Sequence, residues 1–309
     1  MQNSSANNNE KKILPIILSG GFGKRLAAKI GDHTPKQFLN ILSNRSLLQK
    51  TLLRIAKKPR FFHDSIITIN RQFYDIVQKQ LTEISCNYTS MIIEPKSLNT
   101  APAVAFALFH ALNLFGPKQM VAIFPADHYF SHFVAIERAM NNIMKFKEEN
   151  KLTAFGVIPN TESNNQYGYI GIDKTVAVVN GNIYSSNCFI EKPQNHVATK
   201  LIKSKSFFWN IGVYFASIEW FLTNIAKYNI ETYKISKLSW KWADINDKIV
   251  RPDEHIFCLQ NSISLDKAIL EKQKDFLTIS IAGKWSDLGC LNNIIELTMN
   301  SGIFHNSLA

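Results

Sequence analysis

Short apolar runs alternate with segments of helical spacing along the first half of the chain. Residues 13–18 and 120–124 are almost continuously apolar, as expected of strands covered on both faces of a sheet. Two more strands are predicted at 65–69 and 91–93, and helices at Leu47–Ala56, 72–84, Thr100–Phe115 and 133–149. Thr100 is the expected N-cap of its helix. This alternation is typical of parallel crossover units, so we predict an α/β fold with a Rossmann-like, doubly wound sheet.

Shorter strands and more turn residues mark the second half. Strands are predicted at 155–157, 169–172, 176–179, 188–190 and 277–281, an apolar segment at 209–215, and helices at 219–228, 265–271 and 291–299. Residues 1–10 are polar and are expected to form a disordered tail. Because no repeat, linker or low-complexity tract follows them, we predict that residues 11–309 form a single domain.

Charge and cysteine content narrow the classes of function. Lys plus Arg is 35 and Asp plus Glu is 24, so the formal net charge is +11. This charge favours an anionic partner, such as a phosphorylated metabolite, a nucleic acid or a membrane surface. No sequence signature of a nucleic-acid-binding module is found, so a nucleic-acid partner is not expected.

The four cysteines lack zinc-ligand spacing and are expected to be buried, reduced thiols. The polar N-terminus, and an apolar stretch at 101–115 too short to span a bilayer, predict a cytoplasmic protein without membrane contact.

A glycine-rich turn follows the first predicted strand and contains Ser19, Gly20, Gly21, Gly23, Lys24 and Arg25. Glycines allow backbone N–H groups to approach an anion closely and permit positive φ angles. The nearby cations, which include Lys36, are suited to a polyphosphate. The spacing matches neither a Walker A loop nor the dinucleotide-binding fingerprint. The alternative is an ordinary turn beside solvated cations.

Two aspartates follow predicted strands, where open α/β sheets place their ligands. Asp127 comes just after the strand at 120–124, and Asp287 follows the strand at 277–281. Carboxylate oxygens are suitable ligands for Mg²⁺, and both could bind the same ion. The alternative for each is a helix N-cap. We assign no role to His128.

Polar residues at two later strands are candidates for binding a phosphorylated sugar. Glu191 and Lys192 end a strand just before a proline, and are candidates for sugar hydroxyls and a phosphate monoester, respectively. Asn210 offers both a donor and an acceptor, and Gly212 removes a side chain that would obstruct a ligand. The alternatives are an exposed strand end and an ordinary buried strand.

The order of these motifs along the chain is more specific than any single motif. Together they resemble the sugar-1-phosphate nucleotidyltransferases, most closely the mannose-1-phosphate guanylyltransferase branch, over residues 13–297. The segments that carry the resemblance are Gly20-Gly21-Phe22-Gly23-Lys24-Arg25-Leu26, Pro35-Lys36-Gln37-Phe38, Glu94-Pro95, Asn99-Thr100-Ala101-Pro102-Ala103, Pro125-Ala126-Asp127-His128, Tyr167-Gly168-Tyr169-Ile170, Glu191-Lys192-Pro193, Trp209-Asn210-Ile211-Gly212 and Trp285-Ser286-Asp287-Leu288-Gly289. The resemblance implies a mixed, glycosyltransferase-A-like sheet and one nucleotidyltransferase catalytic domain at 11–309.

The resemblance also implies a reaction, in which GTP and mannose 1-phosphate give GDP-mannose and pyrophosphate with Mg²⁺ as cofactor. Asp127 and Asp287 would hold the metal. The phosphates of GTP would be bound by Arg25 and Lys36, and the sugar phosphate by Lys192. The sugar pocket would be lined by Gly168, Glu191, Asn210 and Gly212. Further nucleotide-binding residues would be Ser19, Gly20, Gly21, Gly23, Lys24, Asn99 and Thr100. Glu94, at a strand end, is a hypothetical acceptor for the two N–H donors of guanine.

The chain departs from the family pattern at Ala27, Ala28, Ile30, Gly31, Leu98 and Gln166. These departures bear on affinity and substrate choice, whereas both aspartates and the key cations are retained. Two alternatives stay open: a nucleotidyltransferase for another hexose 1-phosphate or nucleotide, and a non-catalytic regulator that binds sugar nucleotides. A homodimer also stays open as the assembly state.

Overall fold

The computed structural model describes residues 12–22, 34–41, 43–131, 133–146, 151–160, 164–179 and 182–289. Their strands are β1 (Leu14–Leu18), β2 (Ser65–Asn70), β3 (Tyr88–Glu94), β4 (Met120–Pro125), β5 (Tyr129–Phe130), β6 (Thr153–Val157), β7 (Gly168–Val179), β8 (Ile183–Glu191), β9 (Phe207–Ser217), β10 (Asp244–Asn246), β11 (Ile249–Arg251), β12 (Phe276–Ser280) and β13 (Trp285–Ser286). The α-helices are α1 (Leu47–Ala56), α2 (Tyr74–Glu83), α3 (Thr100–Phe115), α4 (Phe133–Phe146), α5 (Asn195–Lys203), α6 (Ile218–Tyr228), α7 (Ile230–Lys241), α8 (Glu254–Phe257) and α9 (Leu265–Ala268). Short 3₁₀ helices occupy Lys36–Phe38, Arg71–Phe73 and Leu270–Lys272.

Eleven of the described strands form one mixed sheet, in the order β10-β11-β3-β2-β1-β4-β9-β6-β12-β8-β7. The block from β11 to β4 is parallel. Beyond it, β9 pairs antiparallel with β4, with β6 and with β7. β5 and β13 form a separate antiparallel pair. The mixed sheet confirms the predicted fold class.

Two hydrophobic clusters cover the two faces of the sheet. Alternate residues of β1 divide between them, since Ile17 belongs to one cluster and Leu14 and Ile16 to the other. The first cluster includes apolar residues of α1, α2 and α4, and the second includes residues of α3 and α6. A strand packed on both faces needs a continuous apolar run, which is why β1 and β4 are apolar throughout. Helices on both faces confirm the doubly wound arrangement.

Most predicted elements are present, with shifted ends. The helices at Leu47–Ala56 and Thr100–Phe115 have the predicted bounds. The strands predicted at 169–172 and 176–179 are one strand, β7, and the helix predicted at 265–271 is α9 followed by a 3₁₀ turn. Helices α5 and α7 and the β10–β11 hairpin were not predicted. The tail at 1–10 and the helix at 291–299 lie outside the described residues, and the single-domain assignment stays a prediction.

Two smaller expectations need correction. Thr100 is not the N-cap of α3, because the side chain of Asn99 accepts the N–H of Thr100 while Asn99 adopts φ +69°. Cys86, Cys188 and Cys258 are free, as predicted, but half-buried rather than buried. Across the part of the chain that the structure describes, no helix is both long and apolar enough to cross a bilayer.

Candidate active site

A cleft of about 380 Å³ opens at the carboxyl ends of the parallel strands. Leu18, Glu94 and Pro125, the last residues of β1, β3 and β4, line one side of it. The opposite side is lined by residues of β7, β8 and β9, where the sheet becomes antiparallel. The cleft therefore lies at the boundary between the two halves of the sheet.

The cleft gathers almost all the described residues that were predicted to form a site. Those that line it are Gly20, Gly21, Lys36, Glu94, Asn99, Thr100, Asp127, Gly168, Glu191, Lys192, Asn210, Gly212 and Asp287. Ser19 does not line it. Ser19 is buried, and its hydroxyl group has no hydrogen-bond partner among the described residues. Gly23, Lys24 and Arg25 lie outside the described residues.

Lys36 joins the two aspartates that were predicted to hold a metal. Its Nζ atom lies 3.0 Å from Asp127 Oδ2 and also donates a hydrogen bond to the backbone carbonyl of Asp287. The Lys36 side chain is only 10% exposed, so it meets these oxygens in a partly desolvated environment. Residues 251 positions apart in sequence thus meet at one point.

The surroundings of Asp127 favour its ionised form. Burial alone would raise the pKa of Asp127, but the charge of Lys36 and contact with His128 outweigh it, so the pKa is lowered. His128 Nε2 lies 3.6 Å from Asp127 Oδ1. Burial lowers the pKa of His128 despite the neighbouring carboxylates, which keeps the ring neutral at pH 7. Asp127 is not a helix cap, since α4 begins only at Phe133.

One oxygen of the Asp287 carboxyl group accepts two hydrogen bonds. Its Oδ1 accepts hydrogen bonds from the backbone N–H of Gly289 at 3.0 Å and from the Tyr167 hydroxyl at 3.3 Å. The bond from Gly289 is the kind of contact that an aspartate makes in a turn or as a helix N-cap. The helix predicted at 291–299 lies outside the described residues. Asp287 Oδ2 makes no hydrogen bond within the described part of the chain.

The oxygens of the two aspartates suit a magnesium ion. Mg²⁺ is usually held in proteins by one or two carboxylates, with substrate phosphates and water completing its shell. Asp127 and Asp287 supply two carboxylates to one cleft. The described residues contain no group of three or more His, Cys, Asp or Glu side chains arranged around an ion. The donor set therefore suits a substrate-assisted Mg²⁺ site rather than a cage built by protein alone.

The glycine-rich turn is fixed by side chains from outside it. Gln37 Nε2 donates to the carbonyls of Ser19 at 3.2 Å and Gly21 at 2.6 Å, and Ser97 donates to the carbonyl of Gly20 at 2.8 Å. The N–H groups of Gly20 and Gly21 donate no hydrogen bond to other described residues. Within the described part of the chain they are unpaired donors beside the cleft, and unpaired N–H groups are what an anion site uses. Gln37 and Ser97 had been given no role from the sequence.

Gly20 is required by close packing rather than by backbone conformation. A Cβ atom there would lie 2.5 Å from Glu94 Oε2. Neither Gly20 nor Gly21 has a positive φ angle, and Gly23, the third glycine of the turn, lies outside the described residues. Glu94 itself is 3% exposed, and its Oε1 has no partner in the described residues. Burial raises the pKa of Glu94 to about 8.

The start of α3 is tied to α9. The Thr100 hydroxyl accepts a hydrogen bond from the N–H of Leu265 at 2.8 Å. Asn99, the N-cap, tolerates its left-handed conformation because a short polar side chain can bond locally. Both residues line the cleft beside Glu94, but each side-chain oxygen already accepts one hydrogen bond within the fold.

Glu191 and Gly168 face each other across paired strands. The two residues are in register between β7 and β8. A Cβ atom on Gly168 would lie 2.9 Å from Glu191 Oε2 and 2.6 Å from Phe189 Cζ, which explains the glycine. Glu191 Oε1 pairs with Lys192 Nζ at 2.8 Å. Burial, with the nearby charge of Asp266, raises the pKa of Glu191. Because the Glu191 side chain is 10% exposed, it is not an exposed strand end.

Asn210 belongs to a polar network that the sequence did not reveal. Its Nδ2 donates to the Tyr214 hydroxyl at 2.6 Å and to Asp266 Oδ1 at 3.2 Å. Its Oδ1 accepts the N–H of Gly212 at 3.1 Å, and Gly212 has φ +70°. The Tyr214 hydroxyl also donates to Asp266 Oδ1. Tyr214 and Asp266 line the cleft, but no motif distinguished them.

Two departures from the family pattern fall on described residues. Leu98 is 4% exposed, packs in the cluster that contains α3 and does not line the cleft. Gln166 lines the cleft and replaces a glycine of the pattern with a polar side chain. Ala27, Ala28, Ile30 and Gly31 lie outside the described residues.

The family model described as nucleotidyl transferase matches residues 14–302. The chain belongs to the nucleotidyl transferase family. Among curated relatives, a mannose-1-phosphate guanylyltransferase of Escherichia coli is 28% identical over 292 residues, covering 94% of this chain and 61% of the relative. One of Salmonella montevideo is 30% identical over 289 residues, covering 93% of this chain and 60% of the relative. The chain thus spans about three fifths of the length of these relatives.

A solved structure supports the fold independently. The crystal structure called mannose-1-phosphate geranyltransferase from Thermus thermophilus has a TM-score of 0.75 and 22% sequence identity to this chain. The match covers 92% of this chain and 79% of that one. At this identity the likeness establishes the fold, and the mixed sheet of the nucleotidyltransferase type is confirmed.

Proposed function

We propose that this protein transfers a guanylyl group from GTP to mannose 1-phosphate, which gives GDP-mannose and pyrophosphate. The observation that carries the proposal is the meeting of Lys36, Asp127 and Asp287 in the same cleft as the available N–H groups of the glycine-rich turn. The names of the curated relatives support the choice of substrates.

The reaction needs no protein nucleophile, because an oxygen of the sugar phosphate attacks the α-phosphorus. A new P–O bond forms there, the bond between the α-phosphorus and the bridging oxygen breaks, and pyrophosphate leaves with that electron pair. The protein's task is to hold two anions in line and to neutralise their repulsion. Lys192 binds the sugar phosphate, while the N–H groups of Gly20 and Gly21 bind the triphosphate. Lys36 and Arg25 stabilise the leaving pyrophosphate.

Asp127 and Asp287 would hold Mg²⁺ as the cofactor. The ion would supply charge neutralisation at the reacting phosphates. Lys36 already contacts Asp127 Oδ2, so the protein provides one positive charge at this point before any ligand enters.

Glu94 provides the base specificity in this proposal. Guanine presents two adjacent N–H donors, and a carboxylate can accept both. The buried carboxyl of Glu94, whose Oε1 has no partner among the described residues, lines the nucleotide side of the cleft at the end of β3. Because burial raises the pKa of Glu94 to about 8, the carboxyl group would have to lose its proton when guanine binds, and the two donors of guanine would stabilise the resulting carboxylate. Adenine presents no such pair of donors and could not stabilise that charge.

The test is an assay of the full chain with Mg²⁺, mannose 1-phosphate and each of the four nucleoside triphosphates. Pyrophosphate release is measured, and the sugar nucleotide is identified by mass. We expect release with GTP, and release slower by about two orders of magnitude or more from an Asp127→Asn control. Activity with a different nucleotide or hexose 1-phosphate would redirect the substrate assignment. Binding of GDP-mannose without any turnover would instead favour the non-catalytic regulator.

A further inference from the structure

A short relay of side chains holds one peptide unit of the glycine-rich turn. The Ser97 hydroxyl donates a hydrogen bond to the carbonyl of Gly20 at 2.8 Å, and Asn70 Nδ2 donates to Ser97 Oγ at 3.2 Å. Asn70 is the last residue of β2, and Ser97 lies in the loop that follows β3. The relay therefore connects the ends of two neighbouring strands to the turn that follows β1.

The direction of both hydrogen bonds is fixed by groups that can act only as a donor or only as an acceptor. Asn70 Oδ1 accepts the backbone N–H of Gln72 at 3.1 Å, so the other end of this amide, which faces Ser97, is the NH₂ group. A hydroxyl group has a single proton. Because a carbonyl can only accept, the proton of Ser97 goes to Gly20, and the oxygen of Ser97 accepts from Asn70.

This anchoring sets the orientation of the peptide unit between Gly20 and Gly21. The described residues contain no cis peptide bond, and in a trans peptide the C=O and N–H groups point in opposite directions. Holding the carbonyl of Gly20 at Ser97 therefore directs the N–H of Gly21 to the other side. That N–H group is one of the unpaired donors beside the cleft. Glycines on both sides leave this peptide unit free to rotate, so its anchor comes from outside the turn.

The two members of the relay differ in their exposure to solvent. Asn70 is 4% exposed, whereas Ser97 is half-buried and lines the cleft. Water can therefore reach the carbonyl of Gly20 if the Ser97 hydroxyl is removed, and the fold should survive the change. A water molecule can replace the lost hydrogen bond, but it is not attached to the chain and does not hold the peptide unit in one orientation.

We propose that Ser97 and Asn70 are positioning residues that hold the N–H of Gly21 in the direction required by an anionic ligand. The inference rests on the proposed function, because it takes that ligand to be the phosphate chain of GTP. Neither residue needs to touch the nucleotide. Removing the Ser97 hydroxyl should weaken GTP binding about fivefold to tenfold, the effect of one lost hydrogen bond. It should hardly change the binding of guanosine, which has no phosphate.

The test measures the binding of GTP and of guanosine to the full chain by isothermal titration calorimetry in the presence of Mg²⁺. Ser97→Ala removes the hydroxyl, whereas Ser97→Thr keeps it and should restore most of the GTP affinity. Asn70→Asp keeps the oxygen that accepts from Gln72 but replaces the NH₂ group by a carboxylate oxygen. That oxygen should draw the Ser97 proton away from Gly20. The unfolding temperature of each variant shows whether the fold is retained.

Asn70→Asp also adds a negative charge, and two controls account for it. Asn229→Asp makes the same change at the N-cap of α7, where the side chain accepts the N–H of Thr232 and does not line the cleft. This control should leave GTP binding unchanged. The double variant Ser97→Ala/Asn70→Asp completes a double-mutant cycle. If Asn70 acts through the Ser97 proton, Asn70→Asp should weaken GTP binding severalfold in the unmodified protein and much less in Ser97→Ala.

Equal losses of GTP and guanosine binding in Ser97→Ala would overturn the inference, as would unchanged GTP binding in that variant. An Asn70→Asp effect of the same size in both backgrounds would show that the substitution acts through its charge, and would remove Asn70 from the relay. GTP binding that depends on Ser97 in a protein that releases no pyrophosphate would refute the proposed reaction and leave the inference standing. Failure of the unmodified protein to bind GTP would overturn both.

Discussion

The buried carboxyl group of Glu94 makes the stability of this protein depend on pH in a defined direction. Its pKa is about 8 in the folded chain, against an ordinary value of 4.5. The folded protein therefore keeps a proton that the unfolded chain releases between these two values. A raised carboxyl pKa means that stability falls as pH rises through this window and becomes constant above about pH 8.

The size of this stability change follows from the shift in the pKa of Glu94. Each pH unit inside the window costs about 1.4 kcal/mol, so a rise from pH 5 to pH 8 should remove roughly 4 kcal/mol. Glu94→Gln does not titrate, and it retains a carbonyl oxygen close to Gly20. The variant should therefore gain stability relative to the unmodified protein, by up to this amount, as the pH increases.

Urea unfolding of both proteins at several pH values between 5 and 8.5 measures this difference. Glu219→Gln, at an exposed position of α6, controls for the loss of a surface charge. Parallel stability curves for the Glu94 variant and the unmodified protein would refute the reasoning, because they would mean that Glu94 ionises near its ordinary value. The same variant should also lose preference for GTP over ATP, and unchanged selectivity would remove Glu94 from base recognition.

Three other substitutions test separate parts of the structure. Asp127→Asn should lower turnover by about two orders of magnitude or more while leaving the unfolding temperature nearly unchanged, and near-normal kcat would end its role as a metal ligand. Gly20→Ala should raise the KM for GTP about tenfold, because the new Cβ atom would collide with the buried Glu94 carboxyl 2.5 Å away; an unaltered KM would show that the turn adjusts freely. Ser46→Ala removes a capping box at α1 and should cost about 1–2 kcal/mol of stability without changing either KM. A stability loss too small to measure in urea would contradict that assignment.

The elements of the parallel half could be predicted from the sequence because their buried residues are apolar and follow regular patterns. β1 and β4 are covered on both faces, so their runs are continuous, and α3 is enclosed by the core along most of its length. Helix α7 was missed for the opposite reason. The residues on its buried face are Thr232, Ser236 and Ser239, with the spacing of a helix but no hydrophobic signal.

Only those site residues that belong to a sequence motif could be predicted. Asp127 and Asp287 were distinguished by their place after strands, but that Lys36 joins them depends on tertiary structure. Tyr214 is merely an aromatic residue in an apolar strand, and Asp266 stands in a four-residue helix without a motif. Their effect on Asn210 arises only when β9 and α9 come together.

The position of Lys36 has a consequence for the order in which ligands assemble. A lysine held at 3.0 Å from Asp127 is a tethered competitor for any free cation that approaches that carboxylate. The phosphate chain of a nucleotide offers the ammonium group a stronger alternative partner and so releases the aspartate. By thermodynamic linkage, cation and nucleotide should each increase the affinity of the protein for the other.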